Sequence, residues 1–227
     1  MERKRYRGIQ NLGFFLLTAS LLTWPLVLHL PTHLPLGTET AATVPVFNLW
    51  TLMWNAQRLA HGYAGYWDAP IFYPEAGTFA LSDPQPLTGW LFAPLYFLTH
   101  NPVLAYNVVF LGFLGLNGVA GAKWGVSLAQ FLAFESKRGG EILMGLFAQC
   151  LPFVTREWGV LQLVAAFPVL FVLAAIVQFG QAPTRRSGLN LGGWVVVTFL
   201  TSSYYGLFLI LILPLGMVFI RSVHFQG

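Results

Sequence analysis

"LTGWLFAPLYFLT", Leu87 to Thr99, decides how this chain is threaded. It is thirteen residues long, with Pro94 inside it. A helix that crosses a bilayer needs about 20 residues, so this run suits an interfacial or re-entrant segment better than a span. The basic residues give an independent test, because Lys and Arg gather in cytoplasmic loops. If Leu87–Thr99 does not cross, then Arg3, Lys4, Arg5, Arg7, Lys123, Lys137, Arg138, Arg185, Arg186 and Arg221 share one side. Those are ten of the 12 Lys and Arg residues, and only Arg58 and Arg156 lie opposite. If the run crosses, Lys123, Lys137 and Arg138 part from the N-terminal cluster. The first arrangement keeps the charges together and is the one the sequence favours.

The question of crossing arises from composition. Of 227 residues, 56% are hydrophobic and 9% charged, and the mean hydropathy is +0.64. A soluble domain carries about 25% charged residues, so too few remain here to cover a water-facing surface. An all-α integral membrane protein is expected, because helices satisfy their own backbone polar groups in lipid. A barrel would alternate over roughly ten-residue segments, and these apolar runs are longer and do not alternate. The net charge of +4 comes from residues beside apolar runs. It is read as orientation, and nucleic-acid binding is excluded because no basic tract is interleaved with stacking aromatics. The single cysteine, Cys150, excludes an internal disulfide and is expected to pack in its apolar surroundings. "MERKRYRG", residues 1–8, precedes an apolar run with no small-residue cleavage site, which reads as a retained first span rather than a signal peptide.

Six spans follow: Asn11–Leu30, Val103–Ala122, Glu141–Val154, Gly159–Phe179, Leu189–Ser202 and Tyr204–Ile220. The third and fifth are short and must borrow flanking residues. Both ends are then cytoplasmic, and residues 31–101 form one long extracytoplasmic loop. The acids Glu39, Asp68, Glu75, Asp83 and Glu157 gather on the outer face. Within the loop, Ala42–His61 carries Val46, Leu49, Leu52, Met53, Ala56, Leu59 and Ala60 at mixed i+3 and i+4 spacing. That pattern predicts an amphipathic helix lying on the membrane surface, with Pro45 in its first turn. "GFLGLNGVAG", residues 112–121, lies in a span, where small residues let helices approach closely.

Candidate functional residues concentrate outside. A carboxylate in an enclosed place near a membrane surface can take a proton from an attacking hydroxyl or hold a metal–phosphate. Asp83, pinned between prolines in "LSDPQP", and Glu39 are the leading candidates, with Asp68 and His61 nearby in sequence. Arg156 and Glu157 form a charged outer corner where a lipid-linked phosphate could be gripped. Gln162 enters the fourth span, and Tyr204 and Tyr205 open the sixth. The histidines do not predict a zinc site.

These residues carry a resemblance. The basic N-terminus, one span and a long outer loop come first, the loop running "LPLG…FNLWTLMWN…YWDAPIFYPEAGTFALSDPQPLTGWLFAPLYFLTHNPVLAYNVVF". The corner "LPFVTREWGVLQL…FPVLF" and "TSSYYGLFL" follow. Together they resemble bacterial membrane proteins of the GT-C glycosyltransferase superfamily, nearest to its YfhO-like and mannosyltransferase-like group. The likeness runs over nearly the whole chain. It implies a multi-pass inner-membrane protein of the cell envelope, transferring a sugar from a polyprenyl-phosphate-linked donor on the extracytoplasmic face. It implies Glu39 at the position of the family's catalytic Asp, and Asp83 at the second acidic position. Arg156, Glu157 and Gln162 match the polar corner. A divalent cation, Mg or Mn, is the one cofactor it allows. The family's membrane module has about seven helices, so the chain is expected to be the N-terminal part of a longer protein. The rival expectation is a non-catalytic or degenerate membrane scaffold that binds lipid or partner subunits. A transporter is disfavoured, since hardly any ionisable residue lies mid-span.

Overall fold

Helix α1, Glu2–Leu22, stops well short of Leu30, where the first apolar run ends. Pro25 is the reason: it lacks an N–H and disfavours helical geometry at Trp24. The chain continues as a short 3-10 turn, Leu26–Leu28, and then leaves helical geometry. The computed structural model describes residues 2–224, and no strand occurs among them. After α1 come α2 (Thr43–Ala60), α3 (Pro86–Thr99), α4 (Pro102–Phe131), α5 (Arg138–Gln149), α6 (Pro152–Arg156), α7 (Leu161–Val164), α8 (Phe167–Gln181), α9 (Arg185–Thr201) and α10 (Ser203–His224).

The all-α class expected from composition is what forms. By length and composition, two stretches among the described residues are apolar enough to cross a membrane: Pro102–Phe131 and Leu161–Gln181, the latter taking α7 and α8 together. The apolar run around Leu87–Thr99 becomes the 14-residue α3. At 1.5 Å per residue it is about 21 Å long, shorter than a bilayer core of about 30 Å. The third apolar run is not one helix. α5 ends at Gln149, and Pro152 starts the five-residue α6. Cys150 caps α5 and is exposed, against the expectation that it packs.

α4 is the central element and packs against α1, α3, α5 and α8. Its start is explicit in the sequence: Asn101 Oδ1 accepts a bond from Leu104 N at 2.9 Å, and Pro102 fills the first turn. The small residues of "GFLGLNGVAG" do what their spacing predicts. Phe15 of α1 is fully buried against Gly118 of α4 and Gly145 of α5. A Cβ on Gly145 would stand 2.6 Å from the Gly118 carbonyl oxygen, and one on Gly121 would stand 2.6 Å from that of Met144. Gln149 joins the same three helices, donating to the carbonyls of Phe15 (2.7 Å) and Leu114 (3.0 Å) and accepting from Thr18 Oγ1 (2.7 Å).

Asn117, on the same stretch of α4, governs the break between α7 and α8. Its Nδ2 donates to the Val164 carbonyl at 2.8 Å, and its Oδ1 accepts from Phe167 N at 2.8 Å. Pro168 has no N–H to continue a helical ladder across this point, and the Asn amide stands in for the missing partners. Removing it would leave a buried acceptor and a buried donor unpaired, at about 1–3 kcal/mol each. Asn117→Ala is therefore expected to destabilise the fold by about 2–5 kcal/mol, read as a lowered unfolding midpoint of the purified chain in detergent micelles.

Candidate functional site

Asn48, Thr51 and Asn55 are spaced three and four residues apart, so they share one face of α2. That face is buried and mixed: Leu52 and Ala56 of the apolar stripe are fully buried beside these three polar residues, whereas Val46 is 53% exposed. Polar residues of this helix thus point inward, which the apolar pattern did not predict. Trp50, Trp54 and Phe47 stack along its flank, and Arg58 lies over the Trp54 ring at 4.4 Å from its centroid. The loop from Tyr66 to Leu81 folds over this flank as a cap. Trp54 Nε1 donates to the Tyr66 carbonyl (3.0 Å), Phe79 N donates to the Trp67 carbonyl (3.0 Å), and Phe79 is buried edge-on to Trp50, Trp54 and Tyr66.

The buried face of α2 meets the turn "SDPQP" ahead of α3. Asn55 Nδ2 donates to the Pro84 carbonyl at 2.7 Å, and Tyr66 OH donates to Asn55 Oδ1 at 2.9 Å. Gly89 lets α3 approach Asn55 closely, since a Cβ there would stand 2.7 Å from Asn55 Cγ. Gln85 adopts left-handed backbone geometry, φ 49° and ψ 50°, which costs about 1–2 kcal/mol outside glycine. Its buried side chain offsets this by donating to Asn48 Oδ1 (2.8 Å) and Gln162 Oε1 (3.3 Å), tying α2, the turn and α7 together.

Asp83 completes the cluster and is 7% exposed. Its Oδ1 accepts from Ser203 N (3.2 Å) and Ser203 Oγ (2.9 Å), at the N-terminus of α10. Oδ2 is buried and has no partner, as are Ser202 Oγ, Ser82 Oγ, Gln85 Oε1, Thr51 Oγ1 and Thr88 Oγ1. Burial pushes the carboxyl above the usual carboxylate range; the Ser203 amide and hydroxyl, the nearby Ser202 hydroxyl and the Gln85 amide pull it back only in part. Tyr66 is pushed up as well, by burial first, then by Tyr63 and by the charge of Asp83.

The sign of this shift gives a measurable consequence. At low pH the carboxyl is protonated in both folded and unfolded chains and costs nothing. As pH rises past the ordinary value of 3.8, the unfolded chain ionises first, and stability is lost until the pH has passed the raised folded value. Asp83→Asn removes this dependence. Its stability relative to wild type, measured by denaturant unfolding in sodium-free buffer, is expected to rise from about pH 4 upward and then level off.

The other expected residues gather elsewhere. Glu39 is half-buried at a corner beside Gly159. There the Thr38 N–H and hydroxyl both donate to the Arg156 carbonyl, at 3.1 and 3.2 Å. Gly37, at φ +62°, leaves room for this: a Cβ would stand 2.6 Å from that carbonyl oxygen. The exposed Arg156 side chain pairs with Glu157 at 3.8 Å. Next to this corner an apolar cleft of about 440 Å³ runs between Leu26, His29, His33, Leu36 and Trp158. Gln162 joins the Asp83 cluster, and Tyr205 OH donates to the Leu163 carbonyl at 2.6 Å, holding α7. His61 is exposed and bonds the Gln57 carbonyl through Nδ1; Asp68 is exposed and accepts from Gly77 N, closing the loop. Tyr204 is exposed.

The structure thus joins Gln162 to Asp83 through Gln85, two residues on, and joins the Glu39 segment to Arg156 and Glu157 through Thr38, with α6 and α7 linking the two groups. Asn48, Thr51, Asn55, Gln85, Ser202 and Ser203 were not anticipated. The signal was present in the three-and-four spacing of polar residues along α2. The Asp83 cluster does not fit a divalent cation; at the corner, Glu39 and Glu157 supply two carboxylates, enough for Mg2+ only together with a substrate phosphate. Asp83 is the only carboxylate of its cluster, and no set of three acidic, histidine or cysteine ligands occurs among the described residues. Scanned against protein-family models, curated proteins and solved structures, the chain matches none.

Proposed function

We propose that the chain is a six-span membrane protein with both ends cytoplasmic, and that it acts as a GT-C-type glycosyltransferase module on a polyprenyl-phosphate-linked sugar. The observation that carries this reading is the apolar cleft beside the Glu39–Arg156–Glu157 corner. The cleft suits a polyprenyl tail, and the corner adds a cation and carboxylates where the phosphate and sugar would lie. The broad apolar exposure of α10, with Leu207, Phe208, Leu211 and Leu215 all uncovered, supports lipid as the surroundings.

In this reading Glu39 takes the proton of the acceptor hydroxyl. The acceptor oxygen bonds to the anomeric carbon as the carbon–oxygen bond to phosphate breaks. The departing phosphate carries its negative charge to Arg156. Arg156→Gln is expected to raise the KM for the lipid-linked donor about 10- to 100-fold, the worth of a bond to a charged group. The measurement is a transfer assay in membranes with radiolabelled polyprenyl-phosphate sugars; an unchanged KM would remove the arginine from this role.

One observation favours the scaffold reading. Asp83 and Gln85 are sealed inside the protein, and the cleft described above is lined by neither. A wild-type chain that transfers sugar from no polyprenyl-linked donor would decide for the scaffold.

A further inference from the structure

We propose that the break between α9 and α10, together with Asp83, binds one dehydrated monovalent cation, Na+ or K+. The inference begins with charge. Asp83 is the only charged side chain in its buried cluster, and an isolated buried carboxylate is costly unless it is paired or neutralised. The single ion pair among the described residues, Arg156–Glu157, lies at the Glu39 corner. One positive charge brings the cluster to neutrality. A divalent cation would leave an uncompensated charge of the opposite sign in the same low-dielectric place.

The donor atoms point the same way. Ser203 holds Oδ1 through its amide and hydroxyl, which fixes the carboxylate and leaves Oδ2 over. Ser202, fully buried, has a hydroxyl close enough to favour the ionised carboxylate, yet its oxygen has no partner. Ser82 Oγ and Gln85 Oε1, from the same turn as Asp83, are also buried and unpartnered. The Ser202 hydroxyl beside the carboxylate supplies a neutral oxygen next to Oδ2, and Ser82 and Gln85 carry further unpartnered oxygens on the same turn, ligand types that suit a hard monovalent cation. The helix ends add to it. Ser202, extended at φ −149° and ψ 116°, separates the C-terminus of the 17-residue α9 from the N-terminus of α10. The negative end of the α9 dipole favours a cation there, while the positive end of α10 faces Oδ1. Discontinuous helices use their two kinds of end in this way to hold an anion and a cation side by side. A bound cation would pin the "SDPQ" turn to Ser202 and so hold Gln85 on Gln162.

The test is binding, and it needs no sugar donor, so its failure would leave the transferase reading untouched. The purified chain in detergent micelles is unfolded thermally at pH 8 in N-methylglucamine chloride, then with NaCl, KCl or MgCl2 at constant ionic strength. Retention of radioactive sodium is measured on the same samples. A saturable rise in Tm of about 3–6 °C is expected when the monovalent cation reaches ten times its dissociation constant. Magnesium should give none. Asp83→Asn should abolish both the rise and the retention, and Ser202→Ala should weaken apparent affinity at least tenfold. Should Asp83→Asn not fold, the serine variant carries the test. Equal responses in wild type and variants would overturn the proposal. So would stabilisation by acid alone, with no cation effect, which would mean that Asp83 is neutralised by a proton.

Discussion

Gly118→Leu is expected to abolish accumulation of the folded chain. At Gly118 a Cβ alone would lie 2.8 Å from Phe15 Cβ, and the rest of a leucine would enter the space filled by that buried ring. Phe15 cannot retreat, because the close approach of Gly145 and the Gly118 carbonyl closes its other side. The new side chain therefore has to push α1 and α4 apart. Overpacking costs about 1–3 kcal/mol for added methylenes that can be accommodated, and more where backbones must separate. Set against a total stability of about 5–15 kcal/mol, and with the Gln149 bonds to Phe15 and Leu114 broken by the same movement, little would remain. Gly112 is the control, since a Cβ there meets nothing within 4 Å. Gly112→Ala should be neutral or stabilise by about 1 kcal/mol through helix propensity. The yield of monodisperse protein after solubilisation, with Tm, separates the two outcomes.

Glu39→Gln is expected to lower transfer by about 10²- to 10⁴-fold, the usual contribution of a positioned general base. The amide keeps the volume and polarity of the carboxylate and removes its capacity to take a proton. Glu39 is half-buried, so Tm should stay close to that of wild type. A fall in kcat with unchanged Tm and unchanged donor KM would identify a chemical role. A full rate from the amide variant would refute Glu39 as base and shift attention to Glu157 at the same corner.

Much of this fold was legible in the sequence. The brevity of α3 could be read from its length and Pro94, and the close approach of α1, α4 and α5 from the small residues of residues 112–121. The orientation of α2 could not be read from hydropathy. Its apolar residues lie on more than one side, and only Leu52 and Ala56 of them are fully buried. Hydrogen bonding drew Asn48 and Asn55 inward, toward Gln85, Pro84 and Tyr66, alongside the buried Leu52 and Ala56. The early end of α1 was written at Pro25 and obscured by the apolar residues that follow it. Asp83 was identified as a leading residue from its prolines alone. Its partner at Ser203 lies 120 residues away, a distance over which one sequence gives no pairing signal. Glu39 and Arg156 likewise meet through Thr38, whose N–H and hydroxyl both reach the Arg156 carbonyl.

The Asn117 joint also bears on the order of assembly. Its two partners lie 47 and 50 residues downstream. While the chain is being made, α4 is complete long before Phe167 exists, and the amide has no partner within its own helix. The apolar surroundings that later bury it are hostile to it in that interval. α4 therefore gains a reason to stay near water, or near whatever inserts it, until α8 arrives. The joint closes as a late event that commits both helices together. On this account the asparagine acts as a timing element, coupling the seating of the central helix to the synthesis of the one that completes it.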